Sequence, residues 1–136
     1  MYEIFEHTAD LGLRIRTVEL HELFEEAALA LFSVIVTNAD VIRPIQQRSF
    51  TIAGEQLDDL LRDWLAELLY TFHAGRLVFA RFEVSIDKGV LTARAHGEPI
   101  DRARHEIDVE VKAITYHGLK VEREGGQWLA EVIVDI

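Results

Sequence analysis

The chain has 136 residues, 49% of them hydrophobic, with 2 prolines and 8 glycines. That suffices for a single domain, 1–136, with an ordinary buried core, and excludes a disordered segment. The absence of cysteine excludes disulfides, zinc–thiolate sites and thiol catalysis and suits a reducing compartment. Lys+Arg 14 against Asp+Glu 24 leaves a formal charge of −10, which repels phosphate backbones and argues against autonomous nucleic-acid binding.

Met1-Tyr2-Glu3 lacks the basic start of a cleavable signal, and every long apolar segment carries Glu, Asp or Arg. No membrane span is therefore expected, and a cytoplasmic location is. Alternation predicts short strands over 2–6 and 11–17, with a turn at Asp10 and Gly12 relieving crowding there. A helix is predicted from about Leu20 to Val36, its apolar face built from Leu20, Leu23, Phe24, Ala27, Leu31 and Ile35. Glu19 precedes it where Ser, Thr or Asp would cap better, although its charge suits the helix dipole.

Residues 37–45 read as a loop and 47–53 as a strand. The clearest element is a second helix, about 55–73, whose stripe includes Leu57, Leu61, Trp64, Leu65, Leu68 and Phe72. Trp64 lies within that stripe and reads as a core anchor. From Leu77 the period becomes two, predicting strands over 77–87, 90–96, 107–115, 117–124 and 127–134. Asp87-Lys88-Gly89 and Glu124-Gly125-Gly126 are hairpin turns. The expectation is an α+β domain: a largely antiparallel sheet with two amphipathic helices packed on one face.

Two carboxylates stand where strand chemistry does not require them. Asp10 interrupts the apolar opening H-T-A-D-L-G, and Asp135 closes A-E-V-I-V-D-I one residue before Ile136. If the first and last strands are neighbours, Asp10, Asp135 and the α-carboxylate of Ile136 meet at one point. Gathered like charges call for a bound cation or a raised pKa, and hard oxygen donors suit calcium, magnesium or manganese. A polar turn and a polar strand end explain the same residues without a metal.

His7, three residues before Asp10, can ligate a metal, orient the Asp10 carboxylate by an imidazole N–H, or simply end a strand. The densest internal polar cluster is Lys112-Ala113-Ile114-Thr115-Tyr116-His117. On one continuous strand Lys112 and Tyr116 face one way and Thr115 and His117 the other, so they share a pocket only if the strand ends or bulges near Tyr116. His105-Glu106 reads equally as a polar site or a loop, and His21, His73 and His96 lack evident partners. Phosphate loops, dinucleotide fingerprints, H-E-x-x-H and G-x-S-x-G are absent. A paired-carboxylate hydrolase at Asp10 and Asp135 has no readable base, nucleophile and oxyanion set.

Together, H-T-A-D-L-G, E-E-A-A-L-A-L-F, D-W-L-A-E-L-L-Y, G-E-P, V-K-A-I-T-Y-H and the closing V-D-I resemble the archease family, in the right order over nearly the whole chain. Glu19, where relatives usually carry a better cap, and Ile107, where Pro is frequent, depart from the pattern. The resemblance implies an accessory factor of the GTP-dependent tRNA-splicing RNA ligase, promoting its guanylylation and multiple turnover without being an enzyme itself. It implies a metal site at Asp10, Asp135 and Ile136, holding calcium, with manganese or magnesium as functional replacements. Lys112, Thr115, Tyr116 and His117 match the internal motif without an assigned role. The competing classes are a stand-alone metal-dependent phosphoesterase or nucleotide-binding protein, and a chaperone-like protein-binding module.

Overall fold

The computed structural model describes residues 1–136. In chain order its elements are β1 (Tyr2–His7), β2 (Asp10–Thr17), α1 (Leu20–Ile35), a 3-10 turn (Ala39–Val41), β3 (Gln46–Ala53), α2 (Leu57–Gly75), β4 (Leu77–Asp87), β5 (Val90–Pro99), β6 (Ala113–Ile114), β7 (Lys120–Glu124) and β8 (Gln127–Asp135). Three two-residue hairpins join neighbours, each with positive φ at both central residues: Thr8-Ala9, Lys88-Gly89 and Gly125-Gly126. That geometry matches the strand twist. The second and third carry the glycines that announce it. The first does not, so Thr8 at φ 24° and Ala9 at φ 70° occupy a region that side-chain-bearing residues rarely adopt.

The α+β class, the antiparallel pairing and both helices stand as expected. The single sheet does not: the strands divide into a five-stranded sheet, β1-β2-β8-β6 with β7 also on β8, and a three-stranded sheet, β3-β5-β4. The predicted strand 107–115 shrinks to Ala113–Ile114. Ile107, Val109 and Val111 do alternate, but they turn their side chains to the core without a ladder. Their segment is anchored instead by scattered bonds, including Thr37 N–H to Glu106 O at 2.9 Å and Lys112 N–H to Asp135 O at 2.7 Å. The strand predicted from 117 starts at Lys120, after a turn in which Gly118 has φ 62°.

Each helix touches both sheets, α1 through β2 and β4, α2 through β3, β4, β6 and β7. Burial on more than one side explains the wide apolar face of α1, where Leu23, Phe24, Ala27, Ala28, Leu31 and Ile35 are fully buried. Glu19 caps better than its residue type suggests, because its own N–H is accepted by Glu22 Oε1 at 3.1 Å. Trp64 is fully buried, donates to Phe24 O at 3.0 Å, and meets Phe50 and Phe82 edge-on. It is the expected anchor.

Gly12 sits inside β2, not in a turn. A Cβ there would lie 2.1 Å from the ring of Phe5, its cross-strand partner. Gly97 is likewise required by close approach: a Cβ would meet Val78 O at 1.8 Å, where a bulge in β4 brings that backbone in.

Candidate functional site

Strand register gathers residues of H-T-A-D-L-G, V-K-A-I-T-Y-H and V-D-I at one end of the larger sheet. In β1–β2, His7 faces Asp10 across the tight turn. β2 and β8 run antiparallel with Leu11 opposite Val134, so Asp10 and Asp135 stand one step further along adjoining strands. On the other side of β8, Asp135 faces Ala113. His7, Asp10, Asp135 and Ala113 therefore form a row across β1, β2, β8 and β6. Directly opposed residues share a face, and their Cβ atoms are typically about 5 Å apart.

Asp10, Asp135 and Ile136 are half-buried. The end of β8 is pinned by Lys112 N–H to Asp135 O at 2.7 Å and by two donors from Thr115 to Ile133 O, the backbone N–H at 3.0 Å and the hydroxyl at 2.9 Å. No three His, Asp or Glu side chains converge closely enough to hold a cation by themselves. Any cation here would need main-chain oxygens or donors from a docked molecule.

β6 ends at Ile114, which frees the rest of its motif from strict alternation. His117 N–H donates to Thr115 Oγ1 at 3.2 Å, and the His117 ring lies against His7 with centroids 5.1 Å apart. Tyr116 is 62% exposed, its ring propped by the Arg62 guanidinium at 4.7 Å. Arg62 is itself tied to Ile114 O at 3.3 Å. Lys112 is exposed. The polar cluster thus does not share one pocket: His117 joins the His7 side, Thr115 pins the strand, and Tyr116 faces out.

A second polar cluster lies away from this row and was only partly visible in the sequence. Glu98, 2% exposed, accepts from Arg43 N–H at 2.7 Å, Arg43 Nε at 3.1 Å, an Arg104 guanidinium nitrogen at 2.9 Å and His105 Nε2 at 3.0 Å. Asp101 N–H donates to His105 Nδ1 at 2.9 Å, which assigns the ring proton to Nε2 and makes His105 a donor to Glu98. Burial pushes the Glu98 carboxyl up, but these donors outweigh it and hold it down at about 2. His105 is therefore a buried structural donor. The string G-E-P was the available signal, since an acid between Gly and Pro within an apolar strand needs partners.

The Archease protein family (MTH1598/TM1083) matches residues 2–136. The chain belongs to the archease family. Among curated members, "Protein archease" of Pyrococcus abyssi is 44% identical over 140 residues, covering 99% of this chain and 98% of the relative. "Protein archease" of Methanopyrus kandleri is 40% identical over 139 residues, covering 99% of each. The solution structure of Methanobacterium thermoautotrophicum protein 1598 superposes with a TM-score of 0.86 at 35% identity, covering 99% of this chain and 98% of that one. A Thermotoga maritima archease, described as a possible chaperone, shares the fold with a TM-score of 0.68 at 22% identity, covering 100% and 98%. No helix is long and apolar enough to cross a membrane.

Proposed function

We propose that this chain is an accessory factor of the GTP-dependent tRNA-splicing RNA ligase, promoting its guanylylation and repeated turnover without catalysing the reaction itself. The observation that carries the reading is convergence. Residues from H-T-A-D-L-G near one end of the chain and from V-K-A-I-T-Y-H and V-D-I near the other occupy one end of one sheet. A purely structural role would not require carboxylates and imidazoles at that place.

Asp10, Asp135 and the main-chain oxygens of Ile136 fit a hard divalent cation, calcium in the first instance and manganese or magnesium as replacements. Two half-buried carboxylates on adjoining strands repel one another unless such a charge lies between them. A bound cation would supply positive charge toward phosphate or carboxylate groups of the ligase site. This chain's residues orient and hold: Thr115 and Lys112 fix the end of β8, His7 flanks Asp10, and Tyr116 and Lys112 face outward for contact. A donor set too small to close around an ion suits a site completed by a partner.

Multiple-turnover RNA joining by the cognate ligase, with this protein substoichiometric, tests the reading. Strong stimulation by the native chain and its loss in Asp135→Asn, with an unchanged circular-dichroism spectrum, are expected. No stimulation of a ligase competent for one turnover would favour the chaperone-like or stand-alone metal-binding alternatives.

A further inference from the structure

β3 lies at the edge of the three-stranded sheet, paired with β5 alone. Its bonding direction is set by the two ends of the ladder, where Gly54 N–H donates to Gly89 O at 2.9 Å and Ile45 N–H to Gly97 O at 3.1 Å. The carbonyls of Gly89 and Gly97 thus point at β3. Directions alternate along a strand, so Leu91, Ala93 and Ala95 point there too, opposite Ile52, Phe50 and Arg48. The N–H and C=O groups of Gln47, Ser49, Thr51 and Ala53 therefore point away from the sheet. All four residues are exposed.

The other free edges are guarded. β1 carries the exposed acids Glu3 and Glu6, β6 is two residues long, and β7 is mostly charged. β4 has a bulge at Phe79/Arg81 and has its Val84 N–H occupied by Glu25. These are the usual devices against edge pairing. β3 has none of them: it runs eight residues in even register with β5, without proline, and Arg48 is its one charge. On a chain of formal charge −10, a strand without an acid is where two copies approach with least repulsion.

We propose that β3 pairs antiparallel with β3 of a second copy of this chain, across a twofold axis at Phe50, joining the two small sheets into one. Ser49 of each copy then stands opposite Thr51 of the other, and Gln47 opposite Ala53, so every outward-pointing N–H and C=O of the edge is used. The central pair is Phe50 with Phe50, each ring half-buried edge-on to Trp64 and Phe79. Such a non-bonded pair brings the strands closest, with Cα atoms about 4.5 Å apart, and aromatic and Ser–Thr pairs are favourable across it. Arg48 falls opposite Ile52 and within diagonal reach of the Phe50 ring, so no like charges meet. The outward residues are symmetric about Phe50, which makes the edge its own complement, the condition for an isologous contact. That symmetry selects a second copy over an unrelated extended segment. The inference does not depend on the ligase reading.

Sedimentation equilibrium of the native chain over micromolar to millimolar concentration is the test, and a monomer–dimer equilibrium is expected. Ser49→Lys combined with Thr51→Lys places like charges opposite one another twice and should weaken the dimer by about 10-fold. Ser49→Lys combined with Thr51→Glu places opposite charges there and should restore it. Both positions are exposed, so circular dichroism should show an unchanged fold in each variant. A native chain still monomeric at millimolar concentration would overturn the inference and leave the edge to a segment of another protein. So would a dimer indifferent to the double lysine change, or one that the lysine–glutamate pair fails to recover.

Discussion

Glu98 is the most heavily bonded acid in the molecule. Its two oxygens accept from Arg43, Arg104 and His105, and it joins the loop around Val41 to the segment after β5, because Arg104 also donates to Val41 O at 2.8 Å. Replacing it by Gln leaves two guanidinium groups without their counter-charge. Glu98→Gln should cost about 3 kcal/mol at neutral pH, measured by chemical denaturation. The same contact has a pH signature. The ordinary carboxyl value is 4.5 and the folded value about 2, so the stabilisation is fully present above about pH 4.5 and is lost as pH falls toward 2. The gap between native protein and Glu98→Gln should narrow across that window. A gap constant with pH would show that Glu98 is not held as an anion. Glu83 and Glu131 shift the same way, Glu83 because His96 bonds it, Glu131 because Arg14 and Lys120 outweigh the effect of burial.

The ends of elements show how local rules yield to packing. α2 closes with Gly75 still helical and Arg76 in the left-handed conformation at φ 58°. Glycine ordinarily takes that second place, because it has no Cβ to strain. The exception has a tertiary cause: Arg76 O accepts from Ile100 N–H at 2.9 Å, which fixes its backbone where β4 begins beside the end of β5. Arg76→Gly should raise stability by roughly 0.5–1 kcal/mol, a rise of a few degrees in melting temperature, since the strain relieved exceeds the added unfolded-state freedom. A lower melting temperature would show that the Arg76 side chain matters more than its backbone. The edge of β4 is managed as well. Val84 N–H donates to Glu25 Oε2 at 2.9 Å, so a side chain of α1 occupies a strand donor that another chain could otherwise pair.

For the molecule as a whole, β8 is the keystone: it pairs with β2 on one side and with β6 and β7 on the other. A cation held by Asp10 and Asp135 would tie the ends of β2 and β8 together and bind only the folded chain. Calcium at about 100 times its dissociation constant should then add about 2.7 kcal/mol of stability, and Asp10→Asn should lose that increment. Melting curves with calcium and with a chelator test this; identical curves would show that no such site exists. Hydrophobic periodicity by itself determined the two helices, the Trp64 anchor, the strands over 77–87 and 127–134 and the two glycine hairpins, because each depends on residues within one turn or one hairpin of each other. The motif residues Asp10, Asp135 and the V-K-A-I-T-Y-H run were also legible as chemically unusual. Only the tertiary structure decided that there are two sheets, that 107–112 packs without pairing, and that His7 meets His117. These depend on which edge of β8 is free and on which partners a distant segment brings, and a local sequence pattern carries no information about either.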